Sequence, residues 1–156
     1  VEVMGRDAGY IALEVGLGGG AEEILVPEHP FEIDELCHKI DRSMSRGKKS
    51  FLVVVAEAEQ MGRSVDIGKQ IKEKIGVEFR ICILGHIQRG GSPSARDRSL
   101  ASRLGAGAVD ALLKGHTGVM VGERAGKVVE VPLREAWEGE KALDEDLIRL
   151  IETLSY

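Results

Sequence analysis

The sequence predicts an α/β fold in which a mostly parallel sheet is flanked by helices. Short apolar segments alternate with longer segments of helical periodicity, turn-forming residues bound each apolar segment, and glycine-containing loops follow two of them. Alternating strands and helices imply right-handed crossovers between parallel strands. With 156 residues, the chain has the length of one domain or of part of a larger protein.

Four segments have the short, apolar or β-branched character of buried parallel strands. They are Val1–Met4, Glu23–Val26, Phe51–Ala56 and Phe79–Leu84. Two further short strands are predicted near Val119–Gly122 and Lys127–Val131, and loops at Gly122–Gly126 and Glu138–Lys141. Cys82 lies in the fourth predicted strand, so we expect it to be a small buried residue.

Helices are predicted between and after these strands, at Ala8–Leu17, Ile33–Ser45, Ser64–Ile75, Ser94–Leu113 and Leu143–Leu154. In the second helix, apolar residues recur at helical spacing with charged residues between them. These apolar residues are Leu36, Cys37, Ile40 and Met44. The pattern predicts one buried helix face that includes Cys37.

The composition argues against several classes of protein. A net charge of −5 gives no global basic field for nucleic acid, and no apolar run approaches the roughly 18 residues of a membrane span. Two cysteines without metal-site spacing favour a reduced, cytoplasmic compartment. The chain begins inside a predicted strand, so we expect it to be part of a longer protein.

The segment Gly85–Pro93, with the sequence GHIQRGGSP, is the most informative part of the chain. Glycines after a strand let main-chain N–H groups approach an anionic oxygen closely. His86 and Arg89 add hydrogen-bonding or cationic side chains, and the guanidinium fork suits phosphate. The segment predicts a phosphate-binding loop, although the loop alone fits an ordinary turn with solvated side chains equally well.

A second strand end has the same order of residues, because Met4-Gly5-Arg6 follows the first predicted strand. Ligands of open α/β sheets bind at the carboxyl edge, where two such ends could converge on one anion. Glu57 ends the third strand and could accept sugar hydroxyls or cap the next helix. Arg80 lies inside a predicted strand, which is costly unless it is paired, faces a cleft or lies at an exposed strand end.

A second group of charged residues lies at the starts of two other strands. Gly18–Glu22 precedes the second strand, and Arg46–Ser50, which contains three cations, precedes the third. The cations could form an anion site, or they could be a solvated helix C-terminus that complements the helix dipole.

Met4-Gly5-Arg6, Glu57 and Leu84–Pro93, in this order and spacing, resemble the C-terminal half of the bacterial ATP-dependent 6-phosphofructokinases. The likeness runs from Val1 to Tyr156. It implies the phosphofructokinase fold, with residues 1–88 and 139–156 in the sugar-phosphate lobe and residues 89–138 packing with the nucleotide lobe. It also implies a glycolytic enzyme that transfers a phosphoryl group from ATP, with magnesium, to fructose 6-phosphate and yields fructose 1,6-bisphosphate.

Position by position, the resemblance implies a substrate site made of Met4, Gly5, Arg6, Glu57, Arg80, His86, Ile87, Gln88 and Arg89. Arg6 would support the transferring phosphoryl group electrostatically, and Glu57 would accept hydrogen bonds from sugar hydroxyls. His86 and Arg89 would bind the 6-phosphate. Arg80 would reach the 6-phosphate in a neighbouring subunit's site, which implies an oligomer, expected to be a homotetramer.

The resemblance also implies an effector site made of Gly20, Ala21, Glu22, Arg46, Lys48, Lys49 and Ser50. A nucleoside diphosphate, ADP or GDP, would activate there through a magnesium held partly by Glu22, and phosphoenolpyruvate would inhibit. Relatives often carry lysine at position 46, so Arg46 bears on effector preference. Asp7 also departs from relatives and places an acid beside Arg6.

The family's GGDGS nucleotide loop and the TIDND-type segment with its catalytic aspartate do not occur in this sequence. Phosphoryl transfer needs both phosphates positioned, a metal and a residue that orients the acceptor, so we expect no catalytic base in the chain and no activity of the isolated chain. The donor stays open between ATP and pyrophosphate. A noncatalytic sugar-phosphate- or nucleotide-binding module is the alternative from another class.

Overall fold

The computed structural model describes residues 1–57, 62–139 and 142–154. The chain forms two compact units, one made of Val1–Gly90 with Leu143–Tyr156 and the other of Gly91–Ala142. Within the described residues, no helix is long and apolar enough to cross a membrane.

The first unit contains a three-stranded parallel sheet with the strand order β1-β3-β2. The strands are β1 (Glu2–Val3), β2 (Glu23–Leu25) and β3 (Val53–Ala56). In this register Val3 lies opposite Ala56, and Leu25 lies opposite Val55. The predicted α/β class with a parallel sheet and flanking helices is confirmed.

Six helices accompany the strands in the described residues. They are α1 (Tyr10–Gly19), α2 (Ile33–Ser45), α3 (Arg63–Ile75), α4 (Ala95–Leu113), α5 (Glu135–Glu138) and α6 (Glu145–Leu154). A 3-10 helix follows α3 at Gly85–Arg89. All five predicted helices are present, with ends that differ by at most two residues. The short helix α5 was not predicted, because it buries no residue and so has no apolar periodicity.

β3 organises the core because all four of its residues are buried. Side chains alternate between the two faces of a strand. Val54 and Ala56 pack in one apolar cluster with residues of α1 and α6, whereas Val53 and Val55 pack in the other with residues of α2 and α3. Cys37 belongs to the second cluster, as predicted from the apolar face of α2.

The predicted strand Phe79–Leu84 is wrong in extent, because it is reduced to one parallel bridge between Glu2 and Ile83. Successive residues of a strand hydrogen-bond to opposite neighbours. The carbonyls of Val1 and Val3 accept from Val55 N and Glu57 N on the β3 side, so Glu2 is the residue of β1 that hydrogen-bonds on the other side. Its N–H donates to Cys82 O over 2.8 Å and its carbonyl accepts from Leu84 N over 3.1 Å. Cys82 is exposed at this edge, so its predicted burial is also wrong.

The second unit packs α4 against an antiparallel hairpin of β4 (Val119–Arg124) and β5 (Lys127–Pro132). The loop predicted at Gly122–Gly126 is too long, because residues 122–124 continue the strand. The turn consists of Ala125 and Gly126, with φ angles of 49° and 77°. Two central residues with positive φ match the twist of the paired strands, so a tighter turn suffices. Of the other predicted loop, Glu140 and Lys141 lie outside the described residues.

Glu2 is an acidic residue buried in the sheet, with 1% of its surface exposed. Its carboxylate accepts hydrogen bonds from Gly62 N and Ser64 N, both over 2.8 Å, and from Ser64 Oγ over 2.6 Å. Gly62 and Ser64 lie at the start of α3, where N–H groups lack partners within the helix and favour negative charge. Burial raises the pKa of Glu2, but these hydrogen bonds outweigh burial, and the pKa lies below its ordinary value of 4.5.

We expect Glu2→Gln to lower the free energy of unfolding by about 1–3 kcal/mol at pH 7, because the amide nitrogen would face main-chain donors. Folding lowers the pKa of Glu2. Its carboxylate therefore stabilises the protein above pH 4.5, and this contribution is lost as the pH falls through the folded-state pKa. Urea unfolding at pH 7 and below pH 4.5 would measure both effects. Glu14→Gln, an exposed substitution in α1, is the control, and equal losses in the two variants would contradict a structural role of Glu2.

Candidate functional site

The predicted site residues leave the sheet at one edge. β1 and β3 are parallel neighbours, with Val3 opposite Ala56. The next residues, Met4 on one strand and Glu57 on the other, therefore emerge side by side at the carboxyl ends. Ligands of open α/β sheets bind at this edge.

Glu57 contacts the loop that follows β1. Its Oε1 atom accepts hydrogen bonds from Gly5 N at 3.4 Å and from Arg6 N at 3.3 Å. Two successive N–H groups that point at one oxygen form a concave anion-binding arrangement. Within the described residues, the other oxygen of Glu57 has no hydrogen-bond partner, so it can accept from a ligand hydroxyl.

The loop also requires a glycine at position 5. Ala8 N donates to Gly5 O over 3.0 Å, which closes a tight turn. A Cβ atom on residue 5 would lie 2.2 Å from the carbonyl oxygen of Ala8, a main-chain atom that cannot move without opening the turn.

The predicted glycine-rich turn after position 84 begins with the 3-10 helix Gly85–Arg89. Gln88 is half-buried on this helix, and its Oε1 atom accepts a hydrogen bond from Met4 N over 2.7 Å. Ile87, the preceding residue, is 77% exposed. The helix therefore turns Gln88 toward the end of β1.

The four predicted cationic ligands are exposed. Within the described part of the chain, the side chains of Arg6, Arg80, His86 and Arg89 form no hydrogen bond or ion pair. Asp7, beside Arg6, is exposed and forms no ion pair with it either. The guanidinium groups of Arg6, Arg80 and Arg89 and the imidazole of His86 are thus open to an anionic ligand.

The structure brings together five of the nine predicted substrate residues by direct hydrogen bonds. These are Met4, Gly5, Arg6, Glu57 and Gln88. His86, Ile87 and Arg89 join them through the shared 3-10 helix but make no such bond. Arg80 lies on the segment that leads to the bridge at Ile83 and also makes none of these contacts.

The second predicted group centres on an ion pair between Glu22 and Lys48. Lys48 Nζ lies 2.9 Å from Glu22 Oε1, and Leu52 N donates to the other carboxylate oxygen. Burial raises the pKa of Glu22, but the hydrogen bonds from Leu52 and Lys48 outweigh it and hold this pKa below its ordinary value. The two predicted strand-start segments therefore meet at one place.

The other predicted members of this group differ in burial. Gly20 ends α1 in the left-handed conformation, and Ala21 is buried. Arg46, Lys49 and Ser50 are exposed, without hydrogen bonds or ion pairs from their side chains to described residues. A small cavity beside the group is lined by Leu17, Gly20, Ala21, Glu22, Ile151 and Leu154.

The described residues contain no group of three or more His, Cys, Asp or Glu that could hold a metal ion. Both carboxylate oxygens of Glu22 already accept hydrogen bonds or pair with Lys48. These residues therefore do not form a magnesium site by themselves, and the magnesium contact expected of Glu22 stays a prediction.

Sequence reasoning missed the importance of Glu2. Glu2 positions both β1 and the start of α3, but its side chain contacts no predicted ligand residue. A signal was present, because a carboxylate inside an apolar segment is costly unless it is hydrogen-bonded.

The sequence of this chain is similar to those of several known proteins. A sequence model described as "Phosphofructokinase" matches residues 1–112. The chain is 53% identical over 155 residues to ATP-dependent 6-phosphofructokinase 1 of Thermus thermophilus, which covers 99% of the chain and 48% of that protein. It is 48% identical to the ATP-dependent 6-phosphofructokinase of Lysinibacillus sphaericus, with the same coverage. The chain thus spans about half the length of these relatives.

Solved structures agree with the sequence matches. The phosphofructokinase of Saccharomyces cerevisiae superposes with a TM-score of 0.76 at 33% identity, covering 98% of this chain and 21% of that one. The phosphofructokinase of Pichia pastoris in the T-state has the same TM-score at 32% identity, covering 99% of this chain and 17% of that one.

We expect Gly5→Ala to destabilise the protein by about 1–3 kcal/mol, because the added methyl group would overlap the Ala8 carbonyl. Thermal unfolding would measure the loss. Gly18→Ala is the matched control, because a Cβ atom at this position of α1 meets nothing within 4 Å and alanine favours the helix. An unchanged midpoint for Gly5→Ala would show that the turn at positions 5–8 opens freely.

Proposed function

The chain belongs to the phosphofructokinase family, and we propose that it forms the acceptor-substrate part of a 6-phosphofructokinase. The full-length protein would transfer a phosphoryl group from ATP to fructose 6-phosphate and yield fructose 1,6-bisphosphate. One observation carries the proposal: Met4–Arg6, Glu57 and the 3-10 helix Gly85–Arg89 meet at the carboxyl edge of β1 and β3.

The chemistry of a sugar phosphate suits this edge. A phosphate group needs cationic or N–H donors, and Arg6, His86 and Arg89 are exposed without partners in the described residues. Sugar hydroxyls need an acceptor, which the free oxygen of Glu57 supplies. Arg6 would stabilise charge on the transferring phosphoryl group, a step that depends mainly on positioning and electrostatics.

The donor side is proposed to lie outside this chain. The nucleotide loop, the catalytic base and the ligands of the magnesium that accompanies ATP are expected there, so the inactivity expected for the isolated chain stays a prediction. The names of the relatives, ATP-dependent 6-phosphofructokinases, support ATP over pyrophosphate and an enzyme over a noncatalytic module. A cytoplasmic location accords with a glycolytic reaction.

The proposal extends to how the protein is organised. The first unit would be the sugar-phosphate lobe, and most of the second would pack with the nucleotide lobe. Arg80 is exposed on the edge segment before Ile83, which suits a residue that reaches another subunit's 6-phosphate. Such a shared site would require the homotetramer expected from the family.

The group around Glu22 and Lys48 is proposed as the effector site. Arg46, Lys48 and Lys49 supply positive charge for the phosphates of ADP, GDP or phosphoenolpyruvate, with Gly20, Ala21 and Ser50 beside them. Lys48 is paired with Glu22 in the structure, so a phosphate that binds Lys48 must compete with this carboxylate. Glu22 would therefore oppose an effector that offers only negative charge.

Arg89→Ala in the full-length enzyme should raise the apparent constant for fructose 6-phosphate about ten- to a hundredfold, because a charge-assisted phosphate contact is lost. The constant for ATP should stay nearly unchanged. Steady-state kinetics with each substrate varied in turn would measure both constants. Arg42→Ala, an exposed arginine of α2, is the control. Equal effects of Arg89→Ala on both substrates would mean that Arg89 holds the fold rather than the phosphate.

Lys48→Ala should weaken activation by ADP and inhibition by phosphoenolpyruvate together, by about tenfold, since both present phosphate oxygens to the same cation. Glu22→Ala should strengthen inhibition by phosphoenolpyruvate, because it releases Lys48 from its ion pair. Effector titrations of the full-length enzyme would measure these responses.

Lys39→Ala is the matched control for this experiment, because it breaks the neighbouring exposed ion pair between Lys39 and Glu23. If Lys48→Ala leaves both effector responses intact, the basic residues are a solvated helix end and the effector site is elsewhere.

A further inference from the structure

Three consecutive main-chain N–H groups at the end of β1 donate to side chains from two distant segments. Met4 N donates to Gln88 Oε1 over 2.7 Å, and Gly5 N and Arg6 N share Glu57 Oε1 at 3.4 and 3.3 Å. The acceptors lie 84 residues along the chain in the first case and about 50 in the second. Neither acceptor therefore arises from local loop geometry.

This loop has a backbone conformation that needs support. Arg6 has a φ angle of 52°, in the left-handed region that residues with a Cβ atom rarely adopt. Such a conformation persists only where the surroundings determine it. The N–H groups of Gly5 and Arg6 both point at Glu57 Oε1, and the left-handed φ of Arg6 sets the direction of the chain that follows them.

The Met4–Gln88 contact is the shorter part of this support. Its length of 2.7 Å is at the short end for an N–H to O hydrogen bond, whereas the Glu57 contacts are long. His86, Ile87 and Arg89 are exposed on the same 3-10 helix, but Gln88 is half-buried. The carboxamide oxygen of Gln88 is thus already used by the protein itself.

We propose that Gln88 is a positioning residue whose carboxamide oxygen fixes Met4–Arg6, and with it the guanidinium of Arg6. Glu57 shares this role through one oxygen and keeps the other for the ligand. The inference rests on the proposed function in that Arg6 is taken to act on the phosphorylated substrate. Because Glu57 combines two roles, Gln88 provides the sharper test.

The first measurement is hydrogen exchange of the Met4 amide in the full-length, ligand-free enzyme. Gln88→Leu removes the acceptor at similar size and should speed exchange by about tenfold or more. Gln88→Glu keeps an acceptor oxygen and should leave exchange slow. Ile87→Ala, on the exposed side of the same helix, is the control. Unchanged exchange in Gln88→Leu would overturn the inference.

The second measurement is a double-mutant cycle on the apparent constant for fructose 6-phosphate. Gln88→Leu should raise this constant about three- to tenfold in the wild-type background and hardly at all when Arg6 is already alanine, since its effect runs through Arg6. The same factor in both backgrounds would overturn the positioning role. If Arg6→Ala leaves the constant unchanged, the proposed function fails, and the exchange rates still decide whether Gln88 holds the loop.

Discussion

The buried carboxylate of Glu2 is the interaction on which the rest of the first unit depends. The main chain of Glu2 pairs with residues 82–84, and the side chain of Glu2 accepts three hydrogen bonds from the start of α3. β1 leads directly into Met4–Arg6, and residues 82–84 lead directly into the 3-10 helix. The segments that carry Met4–Arg6 and the 3-10 helix are therefore both attached to one residue, whose side chain bonds Gly62 and Ser64 rather than a predicted ligand residue. An ionised group buried at this point is tolerated because each of its oxygens is hydrogen-bonded.

The two candidate sites differ in how their charges are arranged. At the sheet edge the acceptors, Glu57 and Gln88, turn toward the main chain, and the cations remain exposed without partners among the described residues. An anion can bind there without displacing an ion pair. Around Lys48 the cation is already paired with Glu22, so an anion must compete. The first arrangement suits a site whose affinity for its ligand does not depend on a competing carboxylate. The second suits a site whose affinity differs between ligands, because each must compete with Glu22 for Lys48.

The sequence predicted what depends on local periodicity and missed what depends on partners far along the chain. The bounds of α2 were predicted correctly because its apolar residues recur at helical spacing, and β3 was recognised from its uninterrupted apolar run. Phe79–Leu84 has the same apolar character, yet it pairs at one residue only, because β1 is too short to offer more. The prediction that Cys82 is buried was wrong for the same reason. Gln88 was predicted to belong to the substrate site, which stays a prediction, and its hydrogen bond to Met4 could not be inferred from residue types.

β3 is the central strand, and its position in the chain bears on how the protein folds. β1 must wait for a partner more than 50 residues away, and Glu2 pairs with a segment 80 residues away. Contacts of such long range are entropically costly to form first, so parallel sheets fold slowly compared with helical bundles. The helices and the β2–β3 pair can form from nearer neighbours. The edge at the carboxyl ends of β1 and β3 therefore assembles later than the β2–β3 pair, and a partly folded chain would carry part of the buried core before the candidate site is formed.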